Sequence, residues 1–196
     1  MKPSLPQIVP YAVWMAIMAL LPAGALSYAI RSLVTAVVLF YVVFKYFKFT
    51  LPTLKDCLWG VGAGVLVLAL WVLPEQSSFY MKWFVIGSQT NNAPSFYDPS
   101  VCGWPLTLAR LVGSAFIIAV AEELFFRKWL LGFAGFWWMV ALFAIEHDRY
   151  LAGALAGIVY GLLSIKVSLK SAIIAHVTTN FALGVIVVKY GLWRFW

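Results

Sequence analysis

Charged residues are what this sequence has least of. Asp, Glu, Lys and Arg make up 11% of its 196 residues, against about a quarter in soluble domains. That deficit excludes a water-soluble globule. It equally excludes a disordered chain, a coiled coil and a nucleic-acid reader, because 14 Lys+Arg and 7 Asp+Glu cannot build the charged surface each requires. Cysteine is almost missing as well: Cys57 and Cys102 are too few for a disulfide framework or a zinc ribbon and are given no chemical role. Histidine occurs twice, and the sequence holds no internal repeat.

What is present is apolar. Hydrophobic residues are 64% of the chain and the mean hydropathy is +0.93, the composition of an all-α, polytopic transmembrane helical bundle. At about 20 apolar residues per span, the length allows roughly seven to eight spans and almost no extramembrane domain. Apolar runs place seven of them near Gln7 to Leu21, Tyr28 to Phe47, Cys57 to Leu73, Pro105 to Leu131, Phe133 to Glu146, Leu151 to Ile165 and Ser171 to Tyr190. The first run follows Lys2 and ends in Ala23-Gly24-Ala25, which has the form of a signal-peptide cleavage site. Six further spans need no cleaved leader, so the first is read as retained. The chain divides into an N-terminal part, 1–104, with a long outward loop over 74–104, and a four-helix core over 105–196, within one integral membrane domain.

The net charge of +7 is distributed as loop asymmetry and as contact with anionic lipid. Lys45, Lys48 and Lys55 face only Asp56 between the second and third spans, and Lys166 and Lys170 precede the last span without an acid. Both loops are therefore expected on the cytoplasmic side, with the 74–104 loop outside. Within that loop the Gly87 to Pro94 stretch cannot cross hydrocarbon with its backbone unpaired, and Phe79 to Ile86 is too short to span and suits the interface. The terminal Trp193-Arg194-Phe195-Trp196 reads as an interfacial anchor. Gly153, Gly157 and Gly161, four residues apart, read as a close-packing face.

Against this background, ionisable residues inside a span need a partner or a task, since each costs about 2.5 to 3.5 kcal/mol at mid-membrane on insertion scales. The fourth span holds Glu122-Glu123-Leu124-Phe125-Phe126-Arg127. Glu123 and Arg127 lie at i and i+4 with the acid first, the favourable order for an ion pair. Glu122 points about 100° away, unpaired within its own segment, the setting of a general base that works near neutral pH. Phe143 to Asp148 brings Glu146 and His147, and His176 with Asn180 forms a second i and i+4 pair able to present two hydrogen bonds to a developing oxyanion.

A rise of about 1.5 Å per residue tests whether these meet. Counted from Arg110, Glu122 lies roughly 18 Å down, or about 12 Å from the inner face of a 30 Å core. Counted from Lys170, His176 and Asn180 lie roughly 9 and 15 Å from that face. Those three can meet. His147, counted from Phe133, comes out at roughly 21 Å and misses by a turn or more, unless the chain after Arg127 dips into the membrane or the fifth helix tilts strongly.

Glu122-Glu123-x-x-x-Arg127, Phe143-x-x-x-His147 and His176-x-x-x-Asn180, in this order, resemble the three motifs of the CAAX-protease and bacteriocin-processing (CPBP, or abortive-infection) family of intramembrane proteases, related to the type II CAAX prenyl endopeptidases. The resemblance covers Pro105 to the C-terminus. It implies a glutamate-dependent peptidase with no cofactor and no catalytic metal. It implies that Glu122 activates water, His147 assists it, His176 and Asn180 stabilise the oxyanion, and Glu123 and Arg127 give structural support. A narrower resemblance rests on Asp98-Pro99, Glu146-His147 and Thr179-Asn180-Phe-Ala-Leu-Gly, which are similar to CAAX protease-related proteins associated with bacterial exosortase systems. The wider resemblance implies, as substrate, a membrane-associated or lipidated polypeptide; the narrower one implies an exported protein with a C-terminal sorting helix in place of a prenylated cysteine tail. It also implies a multi-pass place in the inner (plasma) membrane and a functional link to an exosortase. An exosortase proper uses a Cys/Arg/His site, and neither cysteine lies near the polar cluster.

Other readings of the same residues stay open. Two histidines with Glu122 suit zinc, although the compact His-Glu-x-x-His of one helical turn is absent. The glutamates and Arg127 also suit an ion-pair network that only fixes helix packing, in a membrane scaffold or immunity-type protein.

Overall fold

In a computed structural model, residues 5–48, 50–86 and 95–196 are described. They are helical, with no strand among them. In chain order the helices are α1 (Leu5–Leu20), α2 (Ala25–Tyr46), α3 (Leu54–Val72), α4 (Ser78–Phe84), α5 (Pro99–Cys102), α6 (Trp104–Ala134), α7 (Phe136–Ile145), α8 (Tyr150–Lys166) and α9 (Leu169–Tyr190). A 3-10 turn, Leu73–Gln76, prolongs α3, and another, Trp193–Phe195, follows α9.

All seven expected apolar runs are helices. Four segments are long and apolar enough to cross a membrane: Ala25–Tyr46, Leu54–Gln76, Trp104–Ala134 and Leu169–Tyr190. The apolar helices α1, α7 and α8 are shorter, at 16, 10 and 17 residues. Seven to eight full-length crossings are thus more than helix length alone supplies. The Gly87 to Pro94 stretch lies outside the described residues. Phe79 to Ile86 contributes α4, whose seven residues are too few to span. Asp98 and Pro99 start α5, with Asp98 accepting from the Ser100 amide at 2.8 Å and Pro99 at the first helical position. The Ser100 hydroxyl and then its amide hold the Asp98 carboxyl below the usual carboxylate range.

Polar contacts tie the loops together at two ends. At one, Thr53 and Asp56 form a capping box on α3, Asp56 also accepts from Ser171 at 3.0 Å and from Ser168, and Lys170 reaches the Leu51 carbonyl. The two lysine-bearing loops therefore share one end, as their charge predicts. At the other, buried Glu75 pairs with Arg149 and, at 2.9 Å, with Arg194.

Small residues set the helix spacing. Gly153, Gly157 and Gly161 do lie on a close-packing face: α8 rests there on Ala144, Phe143, Val140, Met139 and Phe136 of α7. Gly60 and Gly64 serve α3 against α9 in the same way. A Cβ at Gly64 would sit 2.6 Å from the Ala175 carbonyl oxygen, so backbone and not a flexible side chain would have to move. Gly64→Ala is expected to destabilise the protein by about 1–3 kcal/mol, as overpacking does, read as a lowered unfolding midpoint in micelles; an unchanged midpoint would contradict this packing. The buried cluster joins both halves of the chain, with Tyr11, Trp14, Tyr28 and Val67 packing with Ala121, Phe126, Phe143, Tyr160 and Ala175.

Candidate functional site

The ionisable residues of α6 lie where its helix changes pitch. Two stretches, Gly113–Ile118 and Glu123–Leu130, are π-helical and flank the turn that carries Glu122. A π-turn places one extra residue in the helical circuit and shifts which side chains share a face. Glu123 is fully buried and forms its expected ion pair with Arg127 at 2.9 Å. The Arg127 guanidinium lies 4.1 Å from the Phe143 ring centroid and 5.3 Å from that of Tyr160, so aromatic faces surround it.

Glu122 is 8% exposed and makes no hydrogen bond among the described residues; His176 Nε2 lies 3.6 Å from its Oε2. Within α6, then, Glu123 is paired with Arg127 and Glu122 is not. The histidine adds a connection that spacing did not indicate: His176 Nδ1 lies 2.9 Å from Glu123 Oε1. An ionised carboxylate only accepts, so Nδ1 donates there and Nε2 is the nitrogen turned to Glu122. Tyr160 stacks on the imidazole, with ring centroids 4.9 Å apart, and donates its hydroxyl hydrogen to Thr179 at 2.7 Å. These contacts fix the ring in place.

Asn180 donates through Nδ2 to the Ser114 carbonyl, 2.9 Å away in the first π-stretch of α6. One amide hydrogen remains for a ligand. His176 and Asn180 border one cavity, though each is also held by α6.

His147 is close to Glu122, against the depth count. Ligand atoms of Glu122, Glu146 and His147 all lie within 4.8 Å of one another. Depth counted from Arg110 puts Glu122 too near the inner face, because the 31 residues of α6 run on to Ala134, beyond the length that a core of about 30 Å needs, and the chain reverses at Gly135, whose φ of 87° suits glycine. Measured from that reversal, Glu122 is roughly 20 Å up α6 and His147 roughly 18 Å along the return path, so the two are level. The short α7 is therefore what delivers the histidine. His147 Nδ1 donates to the Phe143 carbonyl at 2.8 Å, which leaves Nε2 with its lone pair in the neutral ring. Trp71 of α3 packs edge-on against this ring, with centroids 5.3 Å apart.

Two participants went unassigned in the sequence. Glu146 has no role that spacing assigns, and its Oε2 accepts from the Tyr11 hydroxyl at 2.5 Å. Tyr11 lies 135 residues away in α1, and no local pattern marks it. Cys57 and Cys102 are free thiols, and neither borders the cavity.

Glu122, His147, His176 and Asn180 all line a single cavity of about 490 Å3. Tyr11, Trp14, Met15 and Met18 of α1 form one wall, and Arg149, Arg194, Phe195 and Trp196 border it at the Glu75 end. The cavity thus combines apolar and aromatic surface with a few convergent polar groups, the usual make-up of a ligand site. No family model, curated protein or solved structure matches this chain.

Proposed function

We propose that this membrane protein is an intramembrane endopeptidase that hydrolyses a peptide bond near the C-terminus of a membrane-associated polypeptide. The observation that carries the reading is the convergence of Glu122, His147, His176 and Asn180 on one cavity, with Glu122 buried and free of hydrogen bonds. The CPBP-type motifs in the sequence support it and supply the reaction class.

In the proposed mechanism Glu122, with His147 Nε2 at hand, takes a proton from water, and the hydroxide oxygen bonds to the scissile carbonyl carbon. The resulting oxyanion is held by the free Asn180 N–H and by His176, which donates through Nε2 when both its ring nitrogens are protonated. The C–N bond then breaks, and the proton taken from water passes to the leaving amine. Glu123, Arg127 and Tyr160 fix His176, and Tyr11 fixes Glu146. No acyl-enzyme forms, so a trapped covalent enzyme–substrate adduct contradicts the scheme. The protein is placed in the inner (plasma) membrane as a multi-pass protein, with α1, α7 and α8 completing the bundle. The narrower motif likeness points to exported proteins with sorting tails, and to a link with an exosortase system.

A second reading is favoured by one observation. Glu122, Glu146 and His147 offer two carboxylates and an imidazole to one point, a set that suits a divalent metal. Zinc held there would polarise the carbonyl or activate water. The glutamate mechanism predicts that cleavage by purified protein survives 1,10-phenanthroline and EDTA within about twofold, far less than the 10² or more that loss of a catalytic group produces. Loss of activity on chelation, restored by Zn²⁺, would establish the metal reading instead. A proteolytically silent scaffold remains the reading that Glu122→Gln decides.

A further inference from the structure

The cavity wall that carries the proposed catalytic groups also carries a cation that the mechanism leaves without a task. Arg110, in the second turn of α6, borders the cavity together with Tyr28 of α2. Its guanidinium carbon lies 4.1 Å from the Tyr28 ring centroid, 4.8 Å from Tyr97 and 5.6 Å from Trp196. A second guanidinium, Arg31, lies 4.8 Å from the same Tyr28 ring and 4.1 Å from Trp14. Neither arginine has a carboxylate within 4.0 Å among the described residues, and the Nε of each is buried without a hydrogen-bond partner.

Arg110 and Arg31 are half-buried, whereas the two fully buried arginines are neutralised. Arg127 has Glu123, and Arg149 has Glu75. Two like charges gathered round one tyrosine repel each other, and aromatic faces compensate them only in part. An oxyanion accepting from Arg110, which borders the cavity as Arg31 does not, would supply the missing countercharge to both. Planar guanidinium forks match a carboxylate or a phosphate bidentately, and place decides between them.

Position says which carboxylate. Arg110 and Glu122 share one helix and lie roughly 18 Å apart along its axis. An extended peptide covers that distance in about five residues. Between them the cavity offers Ser114 and Ile118 of α6, with Asn180 and Leu183 of α9. A peptide bond at Glu122 therefore has, a few residues away, a place for the end of the chain. Arg110 faces this cavity among Tyr28, Tyr97 and Trp196, of which Tyr28 and Tyr97 are buried, which favours a ligand already in the cavity over a headgroup from the bulk bilayer.

We propose that Arg110, backed by Arg31, is the subsite for the free C-terminal carboxylate of the peptide whose scissile bond lies at Glu122. The substrate class is then a polypeptide whose own C-terminus enters the cavity, cut about five residues before its end. This rests on the peptidase reading, and binding separates the two because it requires no turnover.

The test uses full-length Glu122→Gln protein in phosphatidylcholine nanodiscs. The probes are a fluorescently labelled ten-residue Leu/Ala peptide with a free C-terminal carboxylate and the same peptide as its carboxamide. The acid is expected to bind about tenfold more tightly, the scale of one charge-assisted bidentate contact. Arg110→Gln and Arg31→Gln should each bring the ratio below about twofold with the amide affinity retained. If Arg110→Gln does not fold, as its melting curve will report, Arg31→Gln carries the same test. Equal binding of acid and amide by the parent overturns the subsite and leaves the peptidase reading standing. An acid preference that survives both substitutions overturns it as well. A preference seen in phosphatidylcholine but lost in phosphatidylglycerol nanodiscs assigns the arginines to lipid phosphate and overturns the peptide assignment. No binding of either probe counts against subsite and peptidase together.

Discussion

Glu122→Gln is expected to lower peptide hydrolysis by about 10²–10⁴-fold, the usual worth of a positioned general base, while leaving the protein as stable as the parent or more so. Both halves follow from one geometry. Glu122 is almost fully buried, His176 Nε2 stands at 3.6 Å, beyond a hydrogen bond, and the Glu146 carboxylate lies within 4.8 Å. A buried carboxylate in that position stabilises nothing, and a neutral amide of the same shape relieves its desolvation. A residue kept for packing would show the opposite pattern, with stability falling and activity following it. Cleavage of a model peptide and the unfolding midpoint, measured on one preparation, separate the two. A Glu122→Gln protein that is destabilised and still active would remove the catalytic assignment.

Arg127→Met is expected to destabilise the fold by about 3–5 kcal/mol, since it leaves Glu123 buried without its cation. Glu123 is fully buried, Arg127 is 5% exposed, and their oxygen and nitrogen stand 2.9 Å apart. His176 also leans on Glu123 Oε1, so the loss should reach the ring that faces Glu122. The paired replacement Arg127→Met with Glu123→Leu should recover much of the stability, because exchanging a whole buried ion pair for apolar side chains is often neutral or better. It should not recover activity, for His176 would then have lost the carboxylate that orients it. Urea unfolding in micelles of the two variants and the parent reads these differences. A loss under about 1 kcal/mol for Arg127→Met would mean that the pair is not the anchor of the site.

How much of this was legible in the sequence depends on the range over which each signal acts. Helix positions were legible, because a lipid-facing helix must be apolar along its length, and each of the seven apolar runs is a helix. The Glu123–Arg127 pair and the separation of Glu122 from it were legible too, since i and i+4 geometry is local. The span count was less so: α7 has 10 residues and reads as apolar as a full crossing would. The level of His147 with Glu122 was not legible, because a depth counted from Arg110 across a core of about 30 Å puts Glu122 too near the inner face, whereas α6 has 31 residues and the chain reverses only at Gly135. Contacts made across the bundle were not legible at all. Tyr11 with Glu146, His176 with Glu123 and Asn180 with Ser114 join residues 135, 53 and 66 positions apart. Hydropathy gives a helix its span but not the angle at which it faces its neighbours, and the two π-stretches of α6 shift that angle further.

The central claim is that Glu122 of this membrane protein activates water for peptide hydrolysis, and the most direct measurement is made in the native host. Quantitative membrane proteomics would compare the parent with Glu122→Gln at matched protein level, following exported and membrane proteins by their C-terminal peptides. A defined set is expected to keep its C-terminal hydrophobic tail in the variant and to lose it in the parent. Identical C-termini in both strains, with the variant folded and abundant, would contradict it and return the glutamates to helix packing.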